Sequence, residues 1–169
     1  MKTVVVRNIK RTDAGLVKRL GTLGVATVHE AYGRSGLMKP YLRPVWQGGE
    51  AAGTAVTVLA HPGDNWMIHV AVEQCRKGDV LVVGCTTDNT DGMFGELLAT
   101  AMRARGVIGL VIDAGCRDVK PLTDMKFPVW SKASRSSRKR LPRASHTSPL
   151  NTPSATAARK FTLSTKPTS

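Results

Sequence analysis

The sequence contains few aromatic residues, few cysteines and no long apolar run. The first shortage limits the composition of the core, and the other two exclude classes of protein. Aromatic residues make up only 5% of the 169 positions, so a core would consist mainly of Val, Leu, Ile and Ala. The three cysteines, Cys75, Cys85 and Cys116, form no Cys-x-x-Cys pair, so neither a disulfide framework nor a zinc knuckle is indicated. No run of about 18 apolar residues occurs, so we expect no membrane span. Free thiols, and a start whose apolar run is too short for a signal peptide, predict a cytoplasmic protein.

Acidic residues are absent from the last part of the chain, and this accounts for most of the net charge of +13. Residues 1–131 hold 16 Lys and Arg against 12 Asp and Glu, whereas residues 132–169 hold 9 Lys and Arg and no acid. Residues 134–169 also lack Gly, Val and Ile. Such a segment buries too little apolar surface to offset its ordering entropy, so we predict one domain over 1–132 and a disordered basic tail over 133–169.

The apolar patterns of residues 1–132 predict an α/β domain. Apolar residues at helical spacing predict helices over 12–20, 28–32, 65–75 and 94–105. Runs rich in β-branched or continuous apolar residues predict strands over 53–60, 80–83, 107–112 and 127–130. The order strand, helix, strand across 79–112 predicts a right-handed parallel βαβ unit, and the earlier strands are expected to form a second sheet layer.

Two polar segments follow the strands of this βαβ unit. Gly95-Glu96-Leu97-Leu98 lies at the start of a predicted helix, where unpaired amides and the helix dipole favour an anion. Arg117-Asp118 follows the next strand, and the carboxyl ends of parallel strands meet at one edge of a sheet. Arg117 offers a fork of donors to a carboxylate or carbonyl, and Asp118 and Glu96 offer the hard oxygen ligands that Mg²⁺ or Mn²⁺ prefers. A surface Arg-Asp pair and an ordinary helix-start glutamate are the alternative.

The same residues resemble a known enzyme family. The runs Gly95-Glu96-Leu97-Leu98 and 105–118, with twenty residues between Glu96 and Arg117-Asp118, resemble the 4-hydroxy-4-methyl-2-oxoglutarate and 4-carboxy-4-hydroxy-2-oxoadipate aldolases. These enzymes share a superfamily with the ribonuclease E regulator RraA. The segments 65–73 and 77–83 are similar to the carboxy-hydroxy-oxoadipate branch. Many members have Asp where this chain has Glu96, and the resemblance covers residues 1–132.

The resemblance implies a role for each residue. The amides of Gly95, Glu96, Leu97 and Leu98 would bind the pyruvyl carboxylate of a 2-oxo diacid, and Arg117 would contact its carbonyl or enolate oxygen. Asp118 would hold Mg²⁺ or Mn²⁺ directly or through water, and Glu96 would orient the water shell. The implied reaction is metal-dependent retro-aldol cleavage, with oxaloacetate decarboxylation through the same pyruvate enolate. The implied fold is a three-layer β/β/α domain, assembled as homo-trimers or homo-hexamers.

Beyond residue 132 the chain departs from the family, whose members continue with further Gly- and Val-rich strands and a helix. One hypothesis for the Arg/Ser/Thr/Pro-rich segment is a shifted reading frame near codon 133. In the family a carboxylate from this C-terminal part of a neighbouring subunit helps to complete the metal site, so we expect weak or absent turnover with oxaloacetate and Mg²⁺ or Mn²⁺. The alternative is a functional basic arm, but no aromatic residue interleaves the cluster over 135–143 to stack bases, which argues against specific nucleic-acid binding.

A second function remains open, and several other side chains are weaker candidates. An RraA-like protein-binding regulator without catalysis would share the fold, although Glu96 and Arg117-Asp118 favour the enzyme. His69 is interpreted as structural, and Glu30 as solvated or capping. Asp88 and Asp91 fit loop solvation better than metal binding. Cys116 lacks a nearby histidine in sequence, which argues against thiol catalysis.

Overall fold

The computed structural model describes residues 3–134 and 160–163. The helices of this part are Ala14–Gly21 (α1), Val25–Ala31 (α2), Trp66–Gln74 (α3), Glu96–Ala104 (α4) and Val119–Asp124 (α5). Its strands are Arg43–Pro44 (β1), Ala51–Ala60 (β2), Asp79–Cys85 (β3), Gly92–Phe94 (β4), Gly109–Cys116 (β5), Val129–Ser134 (β6) and Lys160–Leu163 (β7).

The strands form one sheet in the order β1-β6-β5-β3-β2-β7, and β4 pairs with β5 off this path. Strands β2, β3, β5 and β6 are parallel, and β1 and β7 join the two edges antiparallel. The α/β class is therefore confirmed, as is the parallel β3-α4-β5 unit predicted across 79–112.

Strand β2 corrects one expectation, because it was assigned to a second sheet layer. Thr54 of β2 lies opposite Asp79 of β3, so β2 belongs to the same sheet. Gly53–Val56 are all buried, which fits an internal strand with a neighbour on each side. Among the described residues the strands make a single sheet, and a second sheet of the three-layer arrangement is not found there.

The main hydrophobic core lies on the sheet face that carries α3, α4 and α5. Ile68 and Met102 are each fully buried there beside Phe94, and Leu122 of α5 joins the same cluster. Burying one such side chain is worth about 1.5–3 kcal/mol, so this packing holds α3 and α4 against the sheet. A smaller cluster on the opposite face groups Val80, Val111 and Trp130 with the loop residues Met38 and Leu42.

Helix α4 begins two residues later than the sequence predicted. Phe94 was assigned to the helix, but it belongs to β4 and pairs with Cys116 of β5. Gly95, with extended φ −162° and ψ −166°, separates the strand from the helix. The helix ends as predicted at Gly106, whose φ of +74° is left-handed and whose amide bonds the Arg103 carbonyl at 2.9 Å.

The predicted tail is described only in part. Strand β6 extends through Ser134, and Lys160–Leu163 form β7, which pairs with Ala51–Thr54 of β2. The structure thus places four residues of the predicted disordered segment in an edge strand. Residues 135–159 and 164–169, including the basic cluster, lie outside the described residues.

Candidate functional site

A pocket lies at the carboxyl edge of β4 and β5, between the first turns of α3 and α4. Its wall is formed by residues of three segments: Asn65, His69, Gly95, Leu97, Leu98 and Arg117. The start of α4 and the Arg117 loop therefore share one cavity, which is the arrangement that their position after neighbouring strands suggests.

Gly95 joins the two segments because no side chain fits at this position. A Cβ atom added to Gly95 would overlap Asp118 Oδ2 and would lie 2.9 Å from Arg117 Cγ and 3.1 Å from Arg117 Nε. The Arg117 amide also donates to the Phe94 carbonyl at 2.9 Å. The missing side chain of Gly95 is what allows the Arg-Asp pair to lie directly against the start of α4.

Asp118 caps α4 from outside the helix. Its Oδ2 accepts a hydrogen bond from the Glu96 amide at 3.1 Å and lies 4.0 Å from Arg117 Nε. Asp118 has a left-handed backbone, with φ 57° and ψ 42°. Although Asp118 immediately precedes α5, its side chain makes no capping hydrogen bond to that helix and contacts the start of α4 instead. Because Glu96 already has an acceptor, Leu97 and Leu98 carry the first-turn amides best placed for a bound anion.

The pocket combines the features of an anion site. The positive end of the α4 dipole and the Arg117 side chain, which is 60% exposed, converge on it. Guanidinium groups bind planar carboxylates through paired hydrogen bonds. The Asp118 carboxylate at the same edge offsets part of this charge, so the site suits a carboxylate ligand accompanied by a cation.

The carboxylates present fit a hydrated divalent cation rather than a cation enclosed by protein. No group of three or more His, Cys, Asp or Glu side chains able to hold a metal occurs within residues 3–134 and 160–163. Mg²⁺ commonly binds one or two carboxylates and fills its other positions with water and substrate oxygens. The Asp118 side chain, 42% exposed, meets that requirement.

The structure separates the predicted site residues into two groups. Gly95, Leu97, Leu98 and Arg117 line the pocket, whereas Asp118 is not a lining residue and contacts the turn through the Glu96 amide. The side chain of Glu96 is exposed and does not line the pocket; its amide is what connects it to Asp118. The roles assigned to these residues remain predictions.

Two pocket residues, Asn65 and His69, were not predicted as site residues. Asn65 precedes α3, and its Nδ2 donates to the Met93 carbonyl at 3.4 Å, which holds the start of α3 against β4. His69 lies one helical turn later on the same side of α3. Their spacing of four residues in the sequence places both on one side of α3. Only the packing of α3 beside α4 brings that side of the helix to the pocket.

The remaining candidates lie away from this pocket or are chemically inert. Burial raises the pKa of the Cys116 thiol to about 12, so it is protonated at neutral pH. Asp88 pairs with Lys132, and the Asp91 carbonyl accepts the Gly115 amide. The Glu30 side chain is exposed on α2. None of these four residues lines the pocket.

The chain is an α/β protein in which a helix N-terminus, an arginine and a histidine surround one cavity at the carboxyl edge of a parallel sheet. The family model described as "RraA-like: Aldolase/RraA" matches residues 25–157. The chain therefore belongs to the RraA-like family, and the match runs past residue 132 into the segment predicted to be a tail.

Individual relatives agree with this family. A protein of Halalkalibacterium halodurans named "Putative 4-hydroxy-4-methyl-2-oxoglutarate aldolase" is 21% identical over 124 residues, which cover 73% of this chain and 59% of that protein. The chain thus spans about three fifths of the length of this curated relative.

Solved structures of the same family share the fold. RraAS2 of Streptomyces coelicolor, titled an unusual member of the RNase ES inhibitor RraA family, has a TM-score of 0.61 and 24% identity, covering 76% of this chain and 67% of its own. The RNA-processing inhibitor RraA of Thermus thermophilis has a TM-score of 0.60 and 18% identity, covering 68% and 69%. In the described part of the chain, every helix is too short or too polar to cross a membrane.

Proposed function

We propose that this chain carries the site of a divalent-metal-dependent pyruvate aldolase. Its substrate would be 4-carboxy-4-hydroxy-2-oxoadipate or 4-hydroxy-4-methyl-2-oxoglutarate, and it would also decarboxylate oxaloacetate. The observation that carries the proposal is the shared pocket of Arg117 and the Gly95–Leu98 turn, with Asp118 bonded to the same turn. The family match and the aldolase named among the relatives support it.

In this proposal the chain binds the pyruvyl end of the substrate through two groups. The Leu97 and Leu98 amides hold the C1 carboxylate at the positive end of α4. Arg117 donates to the C2 oxygen, which becomes negatively charged when the C3–C4 bond breaks and an enolate forms. A donor placed at a developing oxyanion lowers the barrier by roughly 3–4 kcal/mol.

Asp118 would hold Mg²⁺ or Mn²⁺, and Glu96 would orient the surrounding water. A bound divalent cation supplies Lewis-acid stabilisation of the substrate oxygens, worth several kcal/mol. The Glu96 amide fixes the Asp118 carboxylate at the edge of the pocket, so Asp118 needs no reorganisation when the cation and the substrate arrive.

One site can serve both reactions because both leave the same pyruvate enolate. Retro-aldol cleavage breaks C3–C4 and leaves a carbonyl on C4, whereas decarboxylation of oxaloacetate breaks the corresponding bond and releases CO₂. Arg117 and the α4 amides contact only the pyruvyl part, which the two substrates have in common.

Assembly into homo-trimers or homo-hexamers is part of the proposal. Large apolar side chains are exposed around the pocket and along the first forty residues, and they support a surface that another copy would cover. Beside the pocket these are Trp66, 68% exposed, and Leu97, 77% exposed. The molar mass in solution, measured by light scattering during size-exclusion chromatography, tests this part.

A second candidate is a protein-binding regulator, because two of the similar solved structures are titled as RNA-processing or RNase inhibitors. A regulator of that kind would not require Asp118 to bind a cation. A titration with Mn²⁺ on the intact chain and on Asp118→Asn separates the two, since only the aldolase loses cation binding with the carboxylate.

The direct test is pyruvate release from oxaloacetate, with the chain in excess over substrate so that slow single turnovers are detected. We expect slow release, weaker than that of a complete family member, that requires Mg²⁺ or Mn²⁺ and is abolished in Asp118→Asn. Asn tolerates the left-handed backbone of residue 118, so this variant removes the charge without adding strain. Asp124→Asn, on the exposed side of α5, is the matched control and should retain release. Metal-independent release, or equal rates in both variants, would contradict the proposal.

A further inference from the structure

His69 provides a chemical group that the aldolase site otherwise lacks. His69 lines the pocket beside Leu97 and Arg117, and it is exposed rather than part of the core. Within the described residues no hydrogen bond engages its imidazole. The interpretation of His69 as a structural residue is therefore not supported by any hydrogen bond of its side chain within the described residues.

Retro-aldol cleavage requires a group that accepts the proton of the C4 hydroxyl. Of the residues lining the pocket, Asn65, Gly95, Leu97 and Leu98 carry no basic side chain, and the guanidinium of Arg117 only donates hydrogen bonds. The imidazole of His69 is the one lining side chain, within the described residues, that accepts and returns a proton.

The position of His69 also suits this role. Arg117 and the α4 amides hold the pyruvyl end of the substrate in the proposed function, so C4 extends toward the remaining wall of the pocket. That wall is formed by Asn65 and His69 of the α3 segment. Asn65 is bonded to Met93 of β4, which fixes the distance between the start of α3 and the α4 turn.

We propose that His69 is the catalytic base of the cleavage step, an inference that rests on the proposed function. An imidazole nitrogen of His69 takes the C4 hydroxyl proton, and the O–H electron pair forms the C4 carbonyl. The C3–C4 bond breaks, and its electron pair forms the enolate across C2 and C3. The imidazolium then returns the proton to C3, which gives pyruvate and leaves His69 neutral.

Decarboxylation does not need this base. The carboxylate of oxaloacetate that leaves as CO₂ is already ionised, so breaking the bond requires no proton acceptor. A catalytic base at His69 therefore predicts that the two reactions of one pocket respond differently to its removal, whereas a structural role predicts equal losses.

The experiment compares the two reactions in His69→Gln, with His61→Gln, an exposed turn histidine, as control. We expect kcat for cleavage of 4-carboxy-4-hydroxy-2-oxoadipate to fall by about 10²–10⁴-fold with little change in KM. Oxaloacetate decarboxylation and the affinity for oxalate, an analogue of the pyruvate enolate, should change little. His69→Asn, a smaller amide, should behave in the same way.

The results of this experiment distinguish a failure of the role of His69 from a failure of the proposed function. Equal losses in both reactions, or unchanged cleavage in both variants, would overturn the role of His69 and leave the aldolase proposal intact. A wild-type chain that releases pyruvate from neither substrate would overturn the proposed function and, with it, this inference.

Discussion

Asp118 Oδ2 accepts a hydrogen bond from the Glu96 backbone amide, across 3.1 Å and twenty-two positions of sequence. This bond connects the loop after β5 to the first turn of α4. The neighbouring Arg117 side chain, 60% exposed, lines the pocket beside this bond. The spacing between Glu96 and Arg117-Asp118 thus corresponds to one helix and one strand that return the chain to the same edge of the sheet.

The first prediction concerns Gly95→Ala, which places a methyl group between the two segments. The added Cβ would overlap Asp118 Oδ2 and press on Arg117 Cγ, so the Arg-Asp pair must move away from α4. We expect oxalate binding in the presence of Mn²⁺, measured by calorimetry, to weaken at least about tenfold, equivalent to 1.4 kcal/mol.

Gly24→Ala is the matched control for this variant, because a Cβ there would meet only Thr27 Oγ1 at 3.9 Å. It should bind oxalate as the wild type does, and both variants should retain cooperative unfolding. Unchanged binding in a folded Gly95→Ala chain would show that the contact between the segments has no bearing on the ligand.

A second prediction concerns the buried ion pair that anchors the N-terminal segment. Asp79 is 1% exposed, and its carboxylate accepts from Arg11 Nη2 at 2.8 Å, Arg11 Nε at 3.3 Å and the Arg76 amide at 2.7 Å. Removing one partner leaves the other charge without compensation, which costs about 3–5 kcal/mol. Asp79→Asn should lower the free energy of unfolding by that amount in urea titrations.

The exposed pair of Lys120 and Asp124, with side chains 85% and 61% exposed, provides the comparison. Asp124→Asn should leave the urea midpoint unchanged, because surface pairs contribute little. A midpoint that shifts equally in Asp79→Asn and Asp124→Asn would contradict the assignment of Asp79 as a buried anchor.

The third prediction is a pH dependence centred on Asp113. Burial raises the pKa of Asp113 above its ordinary value of 3.8, against a smaller lowering by the hydrogen bond from Tyr41. The folded state therefore holds the proton more tightly than the unfolded state. The free energy of unfolding should consequently fall as pH rises from about 3.8 through the raised pKa of Asp113.

Asp113→Asn isolates this effect, since the difference between wild type and variant cancels the other titrating groups. Lys132 lies 3.9 Å from Asp113, and burial lowers the pKa of Lys132 from its ordinary value of 10.5. Urea titrations at a series of pH values should show the wild type losing stability relative to the variant as pH rises. A difference that is constant, or that grows in the opposite direction, would refute the burial effect.

Local sequence patterns predicted the parts of the fold that depend on neighbouring residues. The continuous apolar run 107–112 indicated a strand buried on both faces, and Gly106 marked the end of α4; both features are present. Strand β4 and helix α5 were not predicted. Strand β4 has three residues and exists because it pairs with β5, and α5 has six residues and follows the turn at Asp118.

The candidate site shows the same division. The position of two loops after neighbouring strands was sufficient to bring Arg117 and the Gly95–Leu98 turn together. The part played by α3 was not predictable, because His69 reaches the pocket only through the packing of Ile68 and Val72 on the sheet. The bond from Glu96 to Asp118 likewise depends on the left-handed backbone of Asp118, which sequence spacing does not encode.

The most direct test of the account is the affinity of the full chain for oxalate with saturating Mn²⁺, measured in wild type, Arg117→Ala and Lys120→Ala. Both variants remove one positive charge from the same short stretch, but only Arg117 lines the pocket. We predict that Arg117→Ala weakens binding by about 1.5–3 kcal/mol, the range for a hydrogen bond to a charged group, and that Lys120→Ala binds as the wild type does. Equal affinity in all three proteins would contradict the claim that Arg117 and the start of α4 hold one anion between them.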